Sequence, residues 1–298
     1  MKLVKYKDGL CIQNPRDFKI KHIFDCGQCF RWNEEKDGSY IGVISSKVIR
    51  VYEKDNNVYF EGVGTGDIPF LEEYLDLNRD YTQIKQIISK DDDVLTEAIK
   101  SGEGIRVLNQ APFETVISFI ISARNSIPII KKTVNALSKR FGSRLEFMGQ
   151  EYYSFPTPEQ LSVATEQDLR DAGCSFRAPY VLKTTKDIVD GKIDLYNLRN
   201  LESSEVLKQL ITLKGVGIKV ADCIMLFSMG KTDSFPVDVW IQRIMEHFYV
   251  AEKTSLKKMR EYAISKFKDN SGIAQQYLFY YARDFKGREG FGSTKDKK

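Results

Sequence analysis

Leu210-Ile211-Thr212-Leu213-Lys214-Gly215-Val216-Gly217-Ile218-Lys219-Val220-Ala221-Asp222-Cys223 is the stretch on which the architecture turns. An apolar helix runs into Lys-Gly-Val-Gly, and a second apolar helix follows at once. Two glycines around one small apolar residue permit a tight hairpin, because glycine adopts backbone conformations that other residues avoid. The amides that open the second helix then point outward, a ready site for phosphate. A lone Gly-x-Gly also marks any sharp turn between helices; the flanking helices and the lysine just beyond favour the phosphate reading. Lys219 and Cys223 are four apart and share one face of the second helix, while Val220, Ile224 and Phe227 cover an adjacent, core-facing one. A lysine beside an apolar face can have its pKa lowered by desolvation and present a neutral amine. The ordinary alternative is a surface lysine that snorkels to water.

Downstream stands Ser234-Phe235-Pro236-Val237-Asp238-Val239-Trp240. Pro236 ends whatever precedes it, and Asp238 sits where a helix beginning at Val239 needs an N-cap. Upstream, the chain after Pro112 reads as almost wholly helical. Thr157-Pro158-Glu159-Gln160 pairs a capping threonine with proline at the first helical position, and Gly173 stops the helix containing Leu169.

The first third differs. Residues 39–44 and 47–52 are rich in β-branched and aromatic side chains, with turn signals at Asp37-Gly38 and Asp55-Asn56-Asn57, and Val58-Tyr59-Phe60 resumes the strand character. Short connections imply an antiparallel meander. From about Asp67 the period becomes helical, with Ile84, Ile87, Ile88 and then Leu95, Ala98, Ile99 at helical spacing. The fold class is therefore α+β: residues 1–112 form an antiparallel-sheet domain with helices, and residues 113–298 an all-α domain carrying the hairpin.

Composition bounds the function. The chain has 298 residues, 42% of them hydrophobic, with 45 Lys+Arg against 41 Asp+Glu. That is enough for two folded domains and excludes a fully disordered chain. No apolar run approaches the length of a membrane span, and the N-terminus lacks the apolar core of a secretory signal, so the expectation is a soluble, intracellular monomer. Five scattered cysteines, Cys11, Cys26, Cys29, Cys174 and Cys223, argue for a reducing compartment rather than a disulfide framework. Two histidines cannot build a His-rich metal site. Residues 251–298 carry 12 Lys/Arg and 6 Asp/Glu, leaving the first 250 residues slightly acidic. A basic end suits a polyanionic partner, although Lys295-Asp296-Lys297-Lys298 alone also reads as a solvated tail.

Leu213-Lys214-Gly215-Val216-Gly217 with Lys219, followed by Pro236-Val237-Asp238, closely resembles the helix–hairpin–helix, Gly/Pro/Asp DNA glycosylase superfamily. Three further segments resemble its 8-oxoguanine DNA glycosylase/lyase branch: residues 26–32 (Cys-Gly-Gln-Cys-Phe-Arg-Trp), 104–108 (Gly-Ile-Arg-Val-Leu) and 274–279 (Ala-Gln-Gln-Tyr-Leu-Phe). Together they extend over nearly the whole chain.

The resemblance implies a bifunctional base excision repair enzyme that flips the damaged nucleotide out of duplex DNA. Lys219 would be the amine nucleophile that expels the base and forms a Schiff base leading to strand cleavage by β-elimination. Asp238 would stabilise the cationic sugar of the transition state besides capping its helix. The Gly27 carbonyl would accept N7–H of 8-oxoguanine; guanine has a bare acceptor there, and leaving such groups unpaired costs about 1–3 kcal/mol. Gln275 would read the Watson–Crick edge, with Phe279 and Cys223 on the two faces of the base. Gly215 and Gly217 would hold phosphate. The carbonyls of Ile211, Leu213 and Val216 match those that hold a structural cation in relatives. No cofactor is required, and no cysteine follows Cys223, so the iron–sulfur cluster of some relatives cannot form there.

Departures from the family pattern bear on DNA binding. Where eukaryotic relatives have consecutive asparagines that fill the gap left by the flipped base, this chain has Arg124-Asn125-Ser126, and either Arg124 or Asn125 could enter the duplex. Arg177 matches one of two arginines that read the opposite cytosine, but Ile129 replaces the other. Phe176 replaces a tyrosine wedge, and Trp240 a histidine near phosphate. These changes imply relaxed opposite-base selectivity. Competing readings are a redox or zinc site at Cys26-x-x-Cys29 with His22 and Cys11, a glycosylase for alkylated purines, and a non-catalytic DNA-binding module. The first lacks a second cysteine pair; the others do not account for Lys219, Asp238 and Gln275 together.

Overall fold

The computed structural model describes residues 1–284, so the basic run at residues 295–298 lies outside the described residues. Strands β1 (Leu3–Tyr6) and β2 (Gly9–Gln13) precede helix α1 (Ile20–Phe24), then β3 (Trp32–Glu34), β4 (Tyr40–Ile44), β5 (Lys47–Lys54) and β6 (Asn57–Glu61). They form one antiparallel sheet in the order β1-β2-β6-β5-β4-β3. Asp55 and Asn56 both have positive φ, 50° and 59°, which is the two-residue turn whose twist suits a hairpin. One face of the sheet buries Leu10, Ile12, Ile49, Val51 and Phe60 against α1 and α2 (Ile68–Tyr74). Phe24 and Trp32 stack there at 3.9 Å, and the Trp32 indole donates to the Tyr74 hydroxyl at 2.9 Å.

Helices α3 (Tyr81–Ile88) and α4 (Asp93–Ser101) are each capped by an aspartate, Asp80 and Asp92, that accepts an amide of the first turn. Their apolar faces, Tyr81, Ile84, Leu95 and Ala98, join the larger helical core. That core also takes Cys26 and Phe30, so its edge does not follow chain order. At its centre is α5 (Pro112–Ser122), buried along almost its whole length, followed by α6 (Ile127–Phe141).

The expectation of an all-α part from residue 113 needs one correction, at residues 144–153. Strands β7 (Arg144–Phe147) and β8 (Gln150–Tyr153) form an antiparallel hairpin whose turn, Met148-Gly149, has positive φ at both residues. Arg144 and Glu151 pair across it at 2.7 Å. Helices α7 (Pro158–Ser162) and α8 (Glu166–Leu169) carry capping boxes from Thr157 and Thr165. Then come α9 (Ala178–Val189), α10 (Ser203–Leu210), α11 (Ile218–Ser228), α12 (Val239–Phe248), α13 (Leu256–Phe267) and α14 (Ser271–Asp284).

Two arginines, one buried and one half-buried, join the parts. Arg106 lies wholly inside, donating to the carbonyls of Leu75, Asp76 and Arg79 while its guanidinium covers the Tyr81 ring at 4.0 Å. Arg199 donates to the carbonyls of Ser228 and Gln110 and pairs with Glu73. The result is a cleft where α5, α11, α14 and the Gly27 loop meet.

Candidate active site in the cleft between hairpin and C-terminal helix

The hairpin forms as its glycines dictate. Gly215 has φ +86°, and a Cβ there would lie 2.9 Å from the Tyr180 side chain, so both conformation and space demand glycine. Gly217 is extended and serves as the N-cap of α11 without a side chain, leaving the first amides of α11 uncapped by protein. Val220, Ile224 and Phe227 are buried, as their spacing predicts.

Lys219 is half-buried on the adjacent face, its Nζ 5.5 Å from the Phe119 ring centroid. Its charge pulls the pKa of the Cys223 thiol, one turn later, downward. Burial nevertheless pushes that thiol up to about 11, so Cys223 is an uncharged wall. Asp238 caps α12: its Oδ1 accepts the amides of Trp240 at 3.0 Å and Ile241 at 2.9 Å. Burial raises the carboxyl above its ordinary 3.8, against the pull of those amides and of the nearby Lys219.

Lys219, Asp238, Gly27, Cys223, Gln275 and Phe279 all line one small cavity of about 40 Å³, completed by Phe119, Phe227, Pro236 and Gln276. Sequence reasoning missed these last four. Phe119 and Phe227 stack at 5.4 Å but sit at ordinary core spacing in α5 and α11, so their pattern carries no separate signal. The cavity opens into a cleft of about 650 Å³ that adds Phe30, Arg124, Asn125 and Trp240.

The Gly27 loop is fixed from two sides. Gln28 donates to the carbonyls of Ile23 and Arg106 and accepts the Leu108 amide, which explains the 104–108 segment as a structural partner. From α14, Gln276 donates to the Cys26 carbonyl at 2.8 Å and Arg283 to that of Asp25 at 2.9 Å. Gly27 itself has φ +84°, and a Cβ would stand 2.9 Å from Cε1 of Phe279. Cys26 and Cys29 are buried free thiols, both raised by burial, and the described residues contain no His/Cys/Asp/Glu group suited to a metal. Gln275 is 4% exposed, and its Oε1 is buried in the cavity wall without a hydrogen-bond partner.

The structure does not bring the remaining residues into that cavity. Phe176 and Ile129 are exposed at 48% and 52%. Arg177, 4% exposed, is turned inward onto the carbonyls of Ala123 and Arg124 instead of outward as a base reader requires.

Residues 11–116 match the family model described as the 8-oxoguanine DNA glycosylase N-terminal domain, and residues 117–269 match that of the HhH-GPD superfamily base excision DNA repair proteins. The structure is similar to that of the Clostridium acetobutylicum 8-oxoguanine glycosylase/lyase in complex with double-stranded DNA containing cytosine opposite 8-oxoguanine. The two share 44% identity and a TM-score of 0.93 over 95% of this chain and 98% of that one. The N-glycosylase/DNA lyase of Saccharomyces cerevisiae is 31% identical over 86% of this chain and 76% of its own. A probable N-glycosylase/DNA lyase of Methanothermobacter thermautotrophicus is 32% identical over 65% of this chain and 68% of its own.

Proposed function

Because the chain belongs to the HhH-GPD superfamily of base excision DNA repair proteins, with the N-terminal domain of the 8-oxoguanine DNA glycosylases, we infer that it excises 8-oxoguanine from duplex DNA. It is a DNA N-glycosylase with abasic-site lyase activity, and double-stranded DNA is its partner. The observation that carries the residue assignment is the convergence of an amine, a carboxylate and a buried amide oxygen without a partner on one cavity, from Lys219, Asp238 and Gln275.

In this reading the part through residue 112 presents Gly27, and the part from residue 113 presents the lysine and the aspartate. The amides of Gly217 and of the first turn of α11 receive a phosphate, which brings the sugar to Lys219. The ε-amine attacks C1′ as the glycosidic bond breaks and the base departs, while the Asp238 carboxylate stabilises the positive charge growing on the sugar. The sugar ring then opens, its C1′–O4′ bond breaking with proton transfer to O4′ as the C1′=Nζ Schiff base forms; this acidifies the C2′ proton, whose loss expels the 3′ phosphate.

The base meets a site built for reading. The Gly27 carbonyl takes N7–H, and the unpaired Gln275 amide finds partners on the Watson–Crick edge. A cavity of about 40 Å³ has room for little more than a water, so the Phe279 ring turns aside as the base enters between it and Cys223. At the hairpin, the carbonyls of Ile211, Leu213 and Val216 are hard oxygen donors that suit a structural cation, although Leu213 also accepts the Val216 amide at 3.1 Å.

The test is a duplex bearing one 8-oxoguanine, with products separated on a denaturing gel. Release of the free base together with a nick 3′ to the lesion is expected. An intact strand, or equal cleavage of an undamaged guanine duplex, would refute the reading.

A further inference from the structure

Beside the base pocket lies a second cavity of about 280 Å³, with Gly27 in the wall of both and none of Lys219, Asp238 or Gln275 in its lining. Three helices each send one cation to it: Lys21 from α1, Lys131 from α6 and Arg283 from α14. Among the described residues that line it Asp25 is the one carboxylate, and its Oδ2 accepts the Tyr40 hydroxyl at 2.6 Å. Three positive charges therefore face one negative charge.

The partners these cations have are neutral. Lys131 donates to the Trp32 carbonyl at 2.6 Å, and Nη1 of Arg283 donates to the Asp25 carbonyl at 2.9 Å. Each bond uses one donor of an ammonium that has three or a guanidinium that has five. Lys21 is exposed and makes no hydrogen bond or ion pair among the described residues. Like charges gathered in a recess with apolar walls repel one another, and the same walls strengthen the field that an anion meets there.

The cavity adjoins the large cleft, since Gly27, Ile127 and Arg283 line both. Arg283 stands at the divide: a Cβ on Gly27 would lie 3.5 Å from its Nη1, and its guanidinium is 5.8 Å from the Phe279 ring centroid. A group held by Arg283 thus bears on the loop that presents Gly27, because the same guanidinium ties that loop to α14 through Asp25.

We propose that Lys21, Lys131 and Arg283 form one phosphate-binding subsite, separate from the hairpin amides. Two ammonium point charges and a planar fork suit the oxygens of a phosphate, either of the DNA backbone or free in solution. The DNA source rests on the duplex-binding reading of the cleft.

The experiment measures the affinity for a duplex with a reduced abasic site, which the lyase cannot cleave, over a range of salt concentrations. The proteins are the wild type, Lys21→Gln, Lys131→Gln and the double variant. Lys5→Gln, on edge strand β1 and outside both cavities, controls for the loss of one charge. A second arm compares the rise in melting temperature that inorganic phosphate gives the wild type and the double variant at equal ionic strength. A DNA phosphate in the subsite makes the slope of log affinity against log salt shallower by roughly 0.9 in the double variant, the share of one neutralised phosphate, and by part of that in each single variant. A free phosphate leaves the slopes unchanged and raises the wild-type melting temperature by more than that of the double variant. Lys21 has no partner to lose, so Lys21→Gln tests the subsite even where Lys131→Gln fails to fold. No change in either arm, an equal change in Lys5→Gln, or a double variant losing roughly twice the slope of one phosphate, which means two separate contacts, would overturn the proposal. A wild type that binds no duplex at any salt would overturn the glycosylase reading and leave the melting arm to decide the subsite.

Discussion

Asp222, fully buried in α11 beside the Cys223 wall, is held by Arg260 of α13 through two hydrogen bonds of 2.6 and 2.8 Å. Burial drives its carboxyl above the usual aspartate range and the guanidinium draws it back. Replacing one partner leaves the other's charge inside without compensation, a loss of roughly 3–5 kcal/mol. Arg260→Ala should lose stability on that scale in denaturant unfolding. A change below about 1 kcal/mol, the range of exposed ion pairs, would show that solvent reaches Asp222.

Asp238 is both cap and electrostatic partner, and the two roles separate in Asp238→Asn. Asparagine caps about as well, so the helix end survives. Excision should slow by an order of magnitude or more as the negative charge is lost. Because burial raises the native carboxyl above 3.8, the ionised form is disfavoured in the folded state. Wild-type activity should fall as pH drops through that raised value, and the acid limb should lie above 3.8 and vanish in the variant. The same sign predicts unchanged or higher thermal stability for Asp238→Asn at neutral pH, where the native carboxylate is ionised and its burial opposes folding. Equal rates with a lower melting temperature would mean that the residue only caps.

Gly27→Ala probes the base pocket alone. The added methyl meets Phe279 at 2.9 Å and strains a φ of +84°. Excision of 8-oxoguanine should drop at least tenfold, the scale of one unpaired buried acceptor. Cleavage of a preformed abasic site, which needs no base pocket, should stay within a few fold of wild type. Parallel loss of both activities would place the defect in the fold rather than in base recognition.

Much of this was legible in the sequence, and the rest was hidden for physical reasons. Strands β4, β5 and β6 announce themselves because β-branched residues alternate between marked turns. Strands β1 and β2 do not: both are short, and β1, at the sheet's edge, is interrupted by a lysine. The β7–β8 hairpin is charged, and its Met-Gly turn is a weak signal. Lys219, Asp238, Gly27 and Gln275 were readable from their motifs, and the structure brings them to one cavity. The inward turn of Arg177 was not, since its destination is set by carbonyls far away in sequence.

Opposite-base selectivity follows from Ile129 and Arg177 together. Isoleucine donates nothing, and Arg177 is occupied by backbone, so neither fork of the family pattern is free for cytosine. Cytosine should be favoured by less than about a hundredfold over the other bases, with Ile129→Arg raising the preference. Single-turnover excision opposite all four bases measures it. A stronger preference in the unaltered protein would show that other groups read the partner.

The central claim is that the Lys219 amine is the nucleophile. Borohydride added to the protein on 8-oxoguanine duplex should reduce the Schiff base to a permanent protein–DNA adduct, which peptide mass analysis places on Lys219. Lys219→Gln should give no adduct and no excision while still binding the duplex, because phosphate is held by backbone amides rather than by that amine. Adduct on another residue, or excision by Lys219→Gln at the wild-type rate, would contradict the account.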